Sequence, residues 1–61
     1  MESIKEILMR RDGMSEEEAE ELIDQAKASL YNYLAEGDEE GAENICEEYF
    51  GLEPDYLDEL I

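Results

Sequence analysis

Carboxylates are the residues of this 61-residue chain whose type and spacing could do chemistry. Asp and Glu number 20 against four Lys and Arg, which gives a formal net charge of −16 at pH 7. Six acids fall in nine residues between Glu16 and Asp24, and seven fall in thirteen between Glu36 and Glu48. On a helix that rises about 1.5 Å per residue, these runs place roughly one charge every 2 to 3 Å, close to the one per about 1.7 Å of duplex DNA. Such runs can imitate a phosphate backbone, or they can be ordinary solvated helix faces.

The second acidic run also matches part of a calcium-binding loop. Six residues fall at positions 1, 3, 5, 6, 9 and 12 of an EF-hand loop, namely Glu36, Asp38, Glu40, Gly41, Asn44 and Glu47. The side-chain oxygens of the five residues other than Gly41 are ligands that calcium prefers, and the glycine is correct for the sharp turn, although the first position is normally Asp. A competing interpretation explains the same spacing, because Asp38 is also a good N-cap for a helix that includes Ala42.

Side chains suited to catalysis are scarce. The chain contains no His, which excludes Ser-His, Cys-His and His-metal sites. Cys46 falls in an apolar helical stripe with no cation nearby in sequence, so we predict a buried, unreactive thiol in a reducing cytoplasm. Paired carboxylates need a desolvated cleft to act as acid and base, and a chain of this size has little room for one. We therefore predict a protein that is not an enzyme and uses no cofactor.

A long helix over residues 16–36 must position most of these groups. Ser15 and Glu18 form a capping box at its start, Met14 stands where it can pack on Ala19, and Gly37 can supply the left-handed residue that ends it. Its apolar residues recur at three- and four-residue steps, and they are Ala19, Leu22, Ile23, Ala26, Leu30, Tyr33 and Leu34. We expect every other element to pack on this stripe.

Helices are also predicted over residues 4–11, 39–50 and 54–61. Ser3 with Glu6 forms a second capping box, Gly51 ends the third helix, and Pro54 suits the first turn of the fourth. The residues expected to face the interior are Ile4, Ile7 and Leu8, with Met9 or Met1 at the margin, then Ala42, Ile45, Cys46 and Tyr49, then Tyr56, Leu57, Leu60 and Ile61. Leu52 is expected to fold back on the third helix. The prediction is an all-α fold: one domain, residues 1–61, with three helices and a short C-terminal fourth.

The uneven distribution of charge restricts the partners. The basic residues are Lys5, Arg10, Arg11 and Lys27, and eleven acids with no cation follow Lys27. Nucleic acid and anionic membrane surfaces are therefore excluded as direct partners, since like charges would oppose contact. No apolar run reaches the roughly 20 residues of a membrane span, and we expect a cytoplasmic protein. A basic protein or a cation is what this field attracts.

Aromatic residues concentrate in the second half of the chain. Tyr33, Tyr49 and Phe50 are expected in the core, whereas Tyr31 lies off the apolar stripe and Tyr56 lies near an end. A tyrosine among acids is typical of a protein interface, where it serves as an amphipathic anchor beside a charged rim.

The C-terminal segment Tyr49-Phe50-Gly51-Leu52-Glu53-Pro54-Asp55-Tyr56-Leu57 resembles small acidic proteins of bacteriophages and prophages. A similar Gly-Leu-Glu-Pro-Asp-Tyr ending recurs in those proteins. The resemblance implies a phage or prophage origin and assigns no site residues. The Gly13-Met14 turn and the helix predicted over 39–50 are more faintly similar to a ubiquitin-associated three-helix domain, whose second helix is much shorter.

These observations predict a small acidic protein-binding module, a phage-derived inhibitor or nucleic-acid mimic that occupies a basic surface of a host protein. The residues expected to bind that partner are Glu17, Glu20, Glu21, Asp24, Glu39, Glu40, Glu43 and Glu47, with Tyr31 as the anchor. One alternative is a structural protein that self-associates into a homo-oligomer, in which apolar residues of the first and last helices pair between chains. A second alternative is the calcium loop over residues 36–47.

Overall fold

The computed structural model describes residues 2–61, which form helices joined by short connecting segments. The elements are α1 (Ile4–Arg11), α2 (Glu16–Ala35), α3 (Glu39–Glu43), α4 (Ile45–Phe50) and a C-terminal 3₁₀ helix (Pro54–Glu59). These residues contain no strand, so the all-α prediction is confirmed. Met1, which was expected at the margin of the core, lies outside the described residues.

The long helix α2 is the element on which α1, α3 and α4 all pack. Both bonds of its capping box are present: the Glu18 N–H donates to Ser15 Oγ at 3.1 Å, and the Ser15 N–H donates to Glu18 Oε1 at 3.1 Å. At its other end Gly37 adopts a left-handed φ of 76°. The Asp38 N–H then donates to the Tyr33 carbonyl at 2.8 Å, which completes the helix-ending turn that the glycine predicted.

The predicted single helix over residues 39–50 is wrong, because the chain bends at Asn44. That residue has φ −88° and ψ 0°, and it ends α3 and precedes α4. Its N–H donates to the Glu40 carbonyl at 3.2 Å, and its carbonyl accepts from the Glu48 N–H at 2.9 Å. Asparagine is a poor helix former that favours turns, which accounts for a bend at this position.

The C-terminal helix predicted over 54–61 is a shorter 3₁₀ helix, Pro54–Glu59. Short segments readily adopt the tighter 3₁₀ form, with bonds three residues apart such as the one from the Leu60 N–H to the Leu57 carbonyl at 2.9 Å. Leu60 is buried as expected, but Ile61 is 73% exposed and does not join the core.

The core lies between α2 and the elements packed on it. Its buried members are Ile4, Leu8, Ala19, Ala26, Leu30, Ala42, Ile45, Cys46, Phe50 and Leu60. Leu52 packs against this cluster, and its N–H donates to the Cys46 carbonyl at 3.2 Å, so the predicted fold-back onto α4 is confirmed. Leu34, predicted to lie on the buried stripe, is 47% exposed. At that end of α2, Tyr33 packs against the core. The helix ends and the chain turns at Gly37 before any element covers Leu34.

Two side chains join α1 to distant parts of the chain. The N-terminus of α1 is capped by Ser3, whose Oγ accepts from the Glu6 N–H at 3.2 Å, and by Glu59, whose Oε1 accepts from the Ile4 N–H at 3.0 Å. Within residues 2–61 only the Ser3 half of the predicted second capping box is formed, and Glu59 caps a different group, the Ile4 N–H. At the other end of α1, Arg11 Nη2 donates to the Phe50 carbonyl at 2.6 Å, at the C-terminus of α4.

Candidate functional site

The predicted partner-binding carboxylates form two groups along α2 and beyond it. We call residues 16–24 the N-terminal acidic face and residues 36–48 the C-terminal acidic face. All eight predicted carboxylates are exposed, and they are Glu17, Glu20, Glu21 and Asp24 on the first face and Glu39, Glu40, Glu43 and Glu47 on the second. Eleven residues of α2, about 16 Å of helix, separate the two faces.

The N-terminal acidic face is partly neutralised by α1. Lys5 Nζ lies 2.8 Å from Glu16 Oε1 and 3.1 Å from Glu20 Oε1. The hydrogen bonds that Lys5 donates to these two carboxylates raise the pKa of Lys5, and the bond to Glu16 lowers the pKa of Glu16. Glu20 is therefore less available to a partner than predicted, whereas Glu17 and Glu21 form no ion pair within the described part of the chain.

The two arginines are also engaged at the α1 end of the molecule. Arg10 Nη2 lies 2.7 Å from Glu2 Oε1, and the hydrogen bond between them lowers the pKa of Glu2. Arg11 contacts Asp12 at 2.8 Å and lowers the pKa of that carboxyl by the same cause. The acids of the ion pairs found within residues 2–61 are Glu2, Asp12, Glu16 and Glu20, and none of them belongs to the C-terminal acidic face.

The residues of the predicted calcium loop are arranged as a capped helix and a turn. Asp38 Oδ1 accepts from the Gly41 N–H at 2.9 Å, so its carboxylate serves α3 as an N-cap. Within residues 2–61 no group of three or more acidic or Cys side chains is placed to hold a metal ion. The geometry therefore supports the capping interpretation of this spacing.

The glycine at position 41 is explained by packing. A Cβ built there would lie 2.6 Å from Cδ1 of Tyr33, so only glycine lets α3 approach this ring so closely.

The hydroxyl groups of Tyr33 and Tyr49 form hydrogen bonds between helices. The Tyr33 hydroxyl donates to Glu48 Oε2 at 3.4 Å. The negative charge of Glu48, followed by burial, raises the pKa of Tyr33. Next to it, the Ser29 and Tyr49 hydroxyls form a hydrogen bond that joins α2 to α4. Tyr33 and Tyr49 are thus structural residues.

An acid-free surface lies between the two acidic faces. Residues 25–35 contain no Asp or Glu and one cation, Lys27. Tyr31 is 56% exposed and Leu34 is 47% exposed, and Ala28 and Ala35 beside them are exposed as well. Tyr31, which lies off the apolar stripe, is thus an exposed residue. We call Ala28, Tyr31, Leu34 and Ala35 the neutral window.

Cys46 is buried in the core, as predicted. Burial, followed by the negative charge of Glu59, raises the pKa of its thiol. A raised pKa leaves little of the reactive thiolate at neutral pH, and this thiol is therefore a packing residue.

The apolar residues that the self-assembly alternative required lie inside one chain. Ile4, Ile7, Leu8 and Leu60 are all buried in the monomer, and they are not available to pair between copies. Of the large apolar residues in α1 and the C-terminal segment, Met9 and Ile61 are exposed.

Comparisons with models of protein families, with curated proteins and with solved structures found no match. The resemblance of the C-terminal segment to phage proteins stays a prediction. In residues 2–61, every helix is too short or too polar to cross a membrane.

Two functional features were missed in the sequence. The first is which acids form ion pairs and which do not. This depends on tertiary contacts, such as that of Lys5 with Glu20, which sequence spacing does not reveal. The neutral window did have a signal, because eleven consecutive residues without an acid are conspicuous in a chain with 20 acids. Periodicity concealed it by assigning Leu34 to the core.

Proposed function

We propose that this chain is a small acidic protein-binding module that occupies a basic, nucleic-acid-binding surface of another protein. The observation that carries the proposal is the distribution of ion pairs. Lys5, Arg10 and Arg11 contact acids at the α1 end, and seven carboxylates between residues 36 and 48 lie together without a cation.

The rigidity of the acidic surfaces supports the same function. The N-terminal acidic face is on a capped 20-residue helix, and the C-terminal acidic face is held by the Asp38 cap and by the contact of Gly41 with Tyr33. Charges on a fixed scaffold can match the regular spacing of phosphates without losing side-chain and backbone freedom on binding. The proposal is of binding without catalysis, in the cytoplasm of a host cell if the chain is phage-encoded.

A pull-down with a matched variant tests this function. The wild-type chain and a variant with Glu39, Glu40, Glu43 and Glu47 all changed to Gln are each immobilised and exposed to bacterial lysate. Because all four side chains are exposed, the variant keeps the core. We expect the wild type to retain basic nucleic-acid-binding proteins at about 0.1 M salt and to release them at about 0.5 M, where screening is stronger. Recovery of the same proteins by the variant would contradict the proposal, as would recovery of no basic protein by the wild type.

A further inference from the structure

The neutral window has the composition of an interface core. Helical geometry, at 100° per residue, places its four residues within an arc of about 120° on the solvent side of α2. Exposed Tyr31 and Leu34 stand one turn apart, and the small side chains of Ala28 and Ala35 leave room beside the tyrosine ring. Aromatic residues flanked by small ones and surrounded by charge are typical of the centre of a protein interface.

Charge decides what can cover this window. A second copy packed on the window would bring Asp24 and Glu36 of the two chains towards each other, as unlike pairs in the antiparallel orientation and as like pairs in the parallel one. Each copy carries a net charge of −16, so both arrangements add contacts between carboxylates. A partner with cations at both ends of an apolar stripe has the opposite charge to Asp24 and Glu36, and Lys27 is the one like charge in residues 25–35.

We propose that the neutral window docks a basic amphipathic helix. This inference rests on the proposed function and names the element of the partner that is recognised. The partner's apolar stripe packs on Tyr31 and Leu34, and its Lys or Arg side chains reach Asp24 at one end and Glu36 at the other. Asp24 and Glu36 are twelve positions apart, about 18 Å along a helix, so the partner's cations flank about three turns of apolar stripe.

Two synthetic peptides of identical composition and net charge test the docking site. The first places a Leu stripe at helical spacing between two pairs of Lys that stand about twelve residues apart. The second contains the same residues in an order that breaks the stripe. Fluorescence anisotropy at about 0.15 M salt measures the affinity of each peptide for the wild-type chain. We expect the first peptide to bind about tenfold more tightly, as the loss of one interface anchor commonly costs that much.

Variants identify the surface that gives this preference. Tyr31→Ser with Leu34→Ser should abolish the preference for the striped peptide and leave the affinity for the scrambled peptide unchanged. Asn32→Ser, an exposed change outside the window, should keep the preference. Circular dichroism verifies that each variant keeps the helix content of the wild type.

The outcomes separate this inference from the proposed function. If both peptides bind the wild type equally, or if the double variant keeps the preference, the docking site is wrong while the acidic module stands. If neither peptide binds the wild-type chain, the docking site and the proposed function are both contradicted. A Tyr31-dependent dimer of the chain alone in sedimentation equilibrium would also overturn the inference, because a second copy would then occupy the window.

Discussion

The carboxylate of Glu59 accepts a hydrogen bond from the backbone N–H of Ile4 at 3.0 Å, which joins residues 55 positions apart. The first N–H groups of a helix have no partner within it, and the helix dipole favours an anion there. The last element of the chain thus closes on the first helix. One consequence is that this carboxylate, although its residue is exposed, has a structural role.

Glu59→Ala should lower the free energy of unfolding by about 1 kcal/mol, the usual cost of losing an N-terminal cap. Urea denaturation followed by circular dichroism measures the change. Asp58→Ala, a neighbouring exposed acid, is the matched control and should change stability little. Equal effects of the two substitutions would show that the contact with Ile4 contributes nothing specific.

Gly41→Ala should destabilise the protein although alanine is the better helix former. The substitution gains about 1 kcal/mol of helix propensity, but its Cβ meets the Tyr33 ring at 2.6 Å, and overpacking of this kind costs about 1 to 3 kcal/mol. Thermal unfolding measures the net loss. In a Tyr33→Ala background the loss should be smaller, because only the contact of the Cβ with Asp38 Oδ2 at 2.8 Å remains. An equal loss in both backgrounds would contradict the contact with Tyr33.

Arg11→Gln should lower the melting temperature more than Arg10→Gln does. Both changes remove an exposed ion pair, but only Arg11 also donates to the Phe50 carbonyl at the C-terminus of α4, where a cation is favoured. Differential scanning calorimetry compares the two variants. Equal melting temperatures would mean that this contact between α1 and α4 adds no stability.

The Cys46 thiol should resist alkylation in the native protein. Burial raises its pKa, so at pH 8 the thiolate fraction is smaller than that of a free cysteine, and reaction requires opening of the core. We expect iodoacetamide to react at least about tenfold more slowly with the native chain than with the chain in concentrated urea. The native rate should rise as pH increases towards the raised pKa. Equal rates in the two conditions would show that the thiol is exposed.

Local signals in the sequence predicted the ends of α2, since the bonds made by Ser15 and Glu18 and the turn at Gly37 depend only on neighbouring residues. Helix content and most of the core followed from the three- and four-residue spacing. The bend at Asn44 was missed although asparagine is a poor helix former, because the three- and four-residue spacing continues through it. The exposure of Leu34 and the Glu59 cap depend on tertiary packing, which periodicity does not reveal.

The candidate surface was predictable in part. The positions of Asp and Glu in the sequence were enough to locate both acidic faces, because the density of charge along the chain can be counted without knowledge of the fold. Which acids are already paired, such as Glu20 with Lys5, depends on the packing of α1 against α2. The neutral window became visible only once Leu34 was found outside the core.

Displacement of DNA from the partner tests the central claim most directly. The basic protein recovered by the wild-type chain is bound to a labelled DNA duplex, and fluorescence anisotropy follows the addition of the chain. If the acidic faces occupy the nucleic-acid-binding surface, the wild-type chain releases the DNA, and the variant with Gln at positions 39, 40, 43 and 47 does so far less effectively. Anisotropy that stays at the DNA-bound value while the wild-type chain saturates the partner would contradict the account.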